Sequence, residues 1–237
     1  MINADQVLSF RSYAASTLMH EFTHMVNWYQ RAISRNLTSF ETWLEEMSAM
    51  MTEDIVTLTV TPDHYAKIGD ARIRPYVQTG GAVSLINWTN LSSGSYGLGG
   101  SLGAFLNRRY GLNIYMNLLD CSGTANNWSC VDGLIKANGG TGYDDEFSRC
   151  GVTVFGLFPG TGLPAGYGYP AVTLSGFALP VYDVSAYSSY RPATAASLGA
   201  TFEATSQTYS ADTIIGTTYS RTSVVVPAKS TLLLSIQ

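Results

Sequence analysis

TLMHEFTHMVNWYQ, residues 17–30, decides the reading of this chain, because it sets His20 and His24 four residues apart with Glu21 directly after the first. Around it, from Asp5 to Arg31, Val7, Phe10, Ala14, Leu18 and Glu21 recur at spacings of three and four without an internal Pro or Gly, which predicts a helix. Residues four apart lie on one helical face, so the two imidazoles can point a ring nitrogen at one metal ion. Glu21 leans toward the same site without becoming a ligand, the position a carboxylate needs to take a proton from a water held by the metal. In a chain of 237 residues with three histidines, a chance match to this pattern is expected in on the order of one such chain per thousand.

A catalytic zinc needs a third protein ligand and one open position. A polar turn, SRNLTS at residues 34–39, follows the first helix, and Thr38 with Glu41 has the capping-box spacing that predicts a second helix carrying Phe40, Trp43, Leu44, Met47 and Met51 on one apolar stripe. A short turn returns that helix antiparallel to the first, so a carboxylate in its first two turns can reach the metal. Glu46 is favoured on this ground. Glu45 points about 100° away around the helix and is expected to be solvated or to touch a ligand from behind. His64, after Pro62 and Asp63 in an expected turn, reads better as a solvated loop histidine; neither alternative is closed.

Farther along, residues 62–81 predict another helix stopped or kinked at Pro75, and TGGAVSLINWTNLSSGS, residues 79–95, reads as connection and recognition surface. Leu98, Leu102, Phe105 and Leu106 mark a helix ending near Gly111, with shorter helical pieces over 112–119 and 130–138. After Gly151 the composition turns to β-branched and aromatic residues punctuated by Gly and Pro, and TSVVVPAKSTLLLSIQ, residues 222–237, predicts two strands around a turn near Pro227 and Ala228. The expected class is therefore α+β: a mainly helical part over residues 1–165 and a small β-rich, sandwich-like domain over 166–237.

Charged residues make up 13% of the chain, about half the roughly 25% usual for soluble domains. A net charge of −4 without a basic stripe argues against nucleic acid as a partner. The longest uncharged run, Gly151–Tyr182, is broken by Pro159, Pro164, Pro170 and Pro180 and does not read as a membrane span. Cys121 and Cys130 bracket the polar loop CSGTANNWSC and are expected to pair in a disulfide, which suits an oxidising compartment and leaves Cys150 buried or as an alternative partner. The start, MINADQVLSFRSYAAS, lacks a signal peptide's basic and apolar segments, so a secreted or cell-surface location is expected to be encoded upstream.

HEFTHMVNW followed by TWLEEMSAMMTEDI resembles the hyicolysin family of secreted neutral zinc metalloproteinases and, more distantly, the gluzincin aminopeptidases, whose third ligand lies in a W-L-N-E-G segment. The resemblance implies Zn2+ held by His20, His24 and Glu46. It departs from the wider pattern at Glu45 and Met47, and at Met50, where an acidic residue often stands four positions beyond the ligand; Glu53 or Asp54 could orient a zinc histidine instead. SYGLGGSLGAFLNRRYG is similar to the Tyr-x-x-Gly helix start of gluzincin aminopeptidases, which implies Tyr96 as donor to the oxyanion. In gluzincins a β-sheet precedes the zinc helix. Only nineteen residues precede His20 here, so the sheet is expected to be missing, through fragmentation or a start assigned at an internal Met.

Taken together these features lead to the expectation of a zinc-dependent endopeptidase acting on peptide or protein substrates. A rival of another class is a surface binding or adhesion module on an inherited protease fold that no longer turns over, suggested by the expected loss of the sheet, by Met47 and Met50, and by the Tyr- and Gly-rich latter half.

Overall fold

The computed structural model describes residue 5 and residues 11–60, 68–81, 83–88, 93–121, 127–193, 204–210, 226 and 229–234. Helix α1 (Arg11–Trp28) continues into a π-helical turn, Tyr29–Ser34, and α2 (Thr42–Val60) returns alongside it. A second π-helical turn, Gly69–Ile73, leads into α3 (Arg74–Thr79); α4 (Ser93–Tyr110), α5 (Leu112–Leu118), α6 (Asn127–Ala137) and α7 (Tyr143–Phe155) follow. An antiparallel hairpin of β1 (Val172–Leu174) and β2 (Phe177–Leu179), with Leu174 opposite Phe177, precedes a 3-10 helix, Val184–Tyr190.

Helix α1 inverts the usual arrangement of an amphipathic helix. Its buried face is mostly polar, running Ser16, His20, Thr23, Asn27 and, in the π turn, Arg31, while Leu18, Phe22, Met25 and Ile33 are half-exposed. The apolar recurrence expected to face the core therefore does so only at Ala14; Leu18 points outward, and Val7 and Phe10 lie outside the described residues. The reason is the partner: α2 meets α1 through carboxylates and Ser48, which need polar neighbours once buried.

The other side of α2 is apolar, with Trp43, Leu44, Met47 and Met51 in the central core with Leu98, Leu102 and Phe105 of α4. Close approach of α2 and α4 needs glycine: a Cβ at Gly99 would lie 2.9 Å from Met50 Cε, and one at Gly103 would lie 2.8 Å from Met51 Cγ. Unbranched methionines fill the channel those glycines leave.

Several boundaries differ from expectation for local physical reasons. Helix α2 starts at Thr42, not at the Thr38 box, because the Glu41 carbonyl accepts from the Leu44 and Glu45 amides while the Glu41 amide donates to Asn127 Oδ1. Pro75 does not stop the helical run; it follows the π-helical turn Gly69–Ile73 directly and stands in the first residues of α3, which continues to Thr79. Residues 143–155 form a helix where sequence composition announces strands from Gly151, since Tyr143, Phe147, Cys150 and Val154 recur on one buried face.

Among the described residues the sheet is the hairpin alone; residues 204–210 and 231–234 carry no strand, and Pro227 and Ala228 lie outside the described set. The hairpin region is tied into the helical core: Tyr182 donates to Asp54 Oδ1 at 3.1 Å, and Arg108 donates to the Pro180 carbonyl at 2.8 Å. Cys121 and Cys130 form a disulfide, and Cys150 is a free thiol, fully buried beside Tyr169, whose burial pushes its pKa up to about 12. Among the described residues no helix is long and apolar enough to cross a membrane.

Candidate metal centre

His20 and His24 sit one helical turn apart on α1 with ring centroids 4.7 Å apart and planes crossing at 79°. Glu46, in the second turn of α2, lies between them: its Oε2 is 3.1 Å from His20 Nε2 and 3.8 Å from His24 Nε2. One ligand atom from each of the three residues lies within 4.8 Å of the others, a spread a single cation can gather.

The far nitrogens of both rings are engaged. His20 Nδ1 meets Glu53 Oε1 at 2.9 Å, and His24 Nδ1 meets Glu45 Oε1 at 3.0 Å. With Nδ1–H donating to a carboxylate in each case, both rings turn Nε2, the nitrogen a metal would take, toward Glu46. Behind them Asn27 donates to Glu45 Oε1 at 3.2 Å and to Ser48 Oγ at 2.9 Å, and Arg72 Nη2 donates to both Glu53 oxygens at 3.1 and 3.2 Å.

This donor set fits a divalent cation. Burial works against a charge on His20, yet hydrogen bonds from its two nitrogens to Glu46 and Glu53 outweigh it and hold the ring protonated up to about 9. Positive charge is thus favoured where the three groups converge, and a metal would take that place from the proton.

Tyr96, near the start of α4, packs its ring edge-on against Trp88 with centroids 5.0 Å apart. Burial first, then the charge of Glu46 and a hydrogen bond to it, raise the phenol pKa, and the Glu21 charge adds to the shift. Tyr96 is therefore a protonated donor at neutral pH, beside the third carboxylate and within the field of Glu21. Glu21 itself is exposed on α1.

Of the two acids, Glu53 and Asp54, expected to be able to orient a zinc histidine, Glu53 meets His20 whereas Asp54 is engaged elsewhere. Asp54 faces the opposite side of α2, paired with Arg108 Nη1 at 2.6 Å and accepting from Asn107 at 3.1 Å. Neighbours on a helix diverge by about 100°, so one of such a pair can serve the metal side and the other the core. Glu45, expected to be solvated or to touch a ligand from behind, meets His24 Nδ1, and His64 lies outside the described residues. Asn27 and Arg72 escaped the sequence reading. Asn27 carries a weak signal, lying seven residues beyond His20 on the same face, whereas Arg72 carries none.

No curated protein and no solved structure is detectably similar to this chain. A family model described as Peptidase M30 matches residues 10–237, which includes every group of the centre, and the chain belongs to the peptidase M30 family.

Proposed function

We propose that this protein is a zinc-dependent metalloendopeptidase in which His20, His24 and Glu46 hold the ion. The observation that carries the reading is the convergence of two Nε2 atoms and one carboxylate oxygen, each imidazole backed by its own acid. Two histidines with a carboxylate suit zinc and leave a position open for solvent and substrate. When bound, the ion supplies Lewis acidity, polarising a peptide carbonyl and making water nucleophilic at neutral pH.

The chain's own groups do the rest. Glu21 takes the proton of the attacking water and returns it to the departing amine, a role its position after His20 and its exposure support. Tyr96 donates its phenolic hydrogen to the carbonyl oxygen as negative charge builds there. Glu53 and Glu45 keep both rings oriented, so little reorganisation accompanies reaction. The Cys121–Cys130 disulfide supports a secreted or cell-surface setting.

The decisive experiment is Glu21→Gln in the whole protein. Zinc content should remain stoichiometric while cleavage of a broad peptide mixture falls by about a thousandfold. Undiminished cleavage would refute Glu21 as the base. Stoichiometric zinc with no chelator-sensitive cleavage by the unaltered protein would refute the peptidase reading.

A further inference from the structure

A cation stands behind the candidate centre with no assigned role. Arg72 lies on the π-helical turn Gly69–Ile73, and its side chain is 17% exposed while that of Glu53 is 1% exposed. Its Nη2 bridges both Glu53 oxygens at 3.1 and 3.2 Å, and Glu53 in turn receives His20 Nδ1 at 2.9 Å. The same guanidinium carbon lies 5.5 Å from the centre of the Tyr96 ring. One side chain thus touches the partner of a ligand and the candidate oxyanion donor.

Its seat is shaped by two glycines near the start of α4, Gly97 and Gly100. A Cβ at Gly100 would lie 2.6 Å from Arg72 Cγ and 2.8 Å from its Cβ. At Gly97 a Cβ would lie 2.9 Å from the Arg72 carbonyl oxygen and the Tyr76 amide nitrogen. The π-helical turn can therefore lie on α4 only because these positions lack side chains. Such turns are rare and concentrate at functional sites. Arg72 Nε, meanwhile, is buried without a hydrogen-bond partner among the described residues.

We infer that Arg72 is a positioning residue of the metal centre: by holding Glu53 it sets the orientation and tautomer of His20, and by lying over Tyr96 it sets that phenol. The inference rests on the metallopeptidase reading given above. Removing the guanidinium takes two hydrogen bonds from the Glu53 carboxylate and so weakens its hold on His20. A lysine restores the charge opposite Glu53 but offers no planar group to the ring.

Arg72→Met and Arg72→Lys, made in the whole protein, test this through three readouts: zinc affinity, the visible absorption of the cobalt-substituted protein, and kcat separately from KM. For Arg72→Met we expect zinc affinity to fall about tenfold, at the low end of the 10–100-fold range for groups behind a ligand, with an altered cobalt spectrum and a lowered kcat. Arg72→Lys should recover zinc affinity and the cobalt spectrum while kcat stays low. Gly100→Ala, which displaces the Arg72 stem without removing its charge, should reproduce the altered cobalt spectrum and serves if Arg72→Met does not fold. Folded Arg72→Met, or failing that Gly100→Ala, with unchanged zinc affinity and spectrum would overturn the inference. An unaltered protein that binds no zinc would instead overturn the reading beneath it.

Discussion

Glu46 is the pivot at the level of single residues, since His20, His24 and Tyr96 all address its carboxylate. A group shared in this way cannot be moved without disturbing all three neighbours. Met50 stands where an acidic residue would be one turn beyond the ligand, and Glu53 reaches His20 from two turns on. Helical geometry allows this, because seven residues return to within about 20° of the starting direction. Burial and the neighbouring Glu46 raise the Tyr96 pKa, so the phenol keeps its proton throughout the neutral range. Tyr96→Phe removes only the hydroxyl, and kcat is expected to fall by about a hundredfold with zinc content unchanged. A loss of zinc on that substitution would mean that the phenol supports the ligands and does not serve the reacting carbonyl.

Among the helices, glycine marks where two elements close on each other and where they do not. Gly103 of α4 faces α2, where an added Cβ would lie only 2.8 Å from Met51 Cγ, whereas a Cβ on Gly133 of α6 would meet nothing within 4 Å. Gly103→Val should destabilise the protein by about 2 kcal/mol through overpacking, despite better helix propensity. Gly133→Ala should stabilise it by about 1 kcal/mol through reduced unfolded-state entropy. Thermal melts of the two variants moving in the same direction would contradict the packing described for α4. Most helices were legible because their apolar residues recur on one side, as Leu98, Leu102 and Phe105 do. Helix α1 was legible as a helix but not in its facing, since its buried side is polar for the sake of the centre.

For the molecule as a whole, the candidate metal centre is joined to distant parts of the chain. Arg31, 1% exposed at the end of the first helical segment, donates to the carbonyls of Thr38, Leu119 and Cys121 and lies 4.0 Å over the Phe40 ring. It joins the histidine helix to the Cys121–Cys130 loop. That disulfide spans nine residues, and replacing both cysteines by serine should cost about 2.5 kcal/mol through the loop's added freedom in the unfolded chain. An unchanged melting temperature for the serine pair would refute that contribution. What the sequence determined by itself was local: the helical repeat alone puts His20 and His24 on one face, Glu21 beside them and Glu46 within two turns of the next helix's start. Only the tertiary structure decided which of Glu45, Glu46, Glu53 and Asp54 meets which nitrogen, and that Arg72 stands behind them. Those pairings depend on the rotation and spacing of packed helices, which arise from side chains far apart in the chain and leave no periodic trace along it.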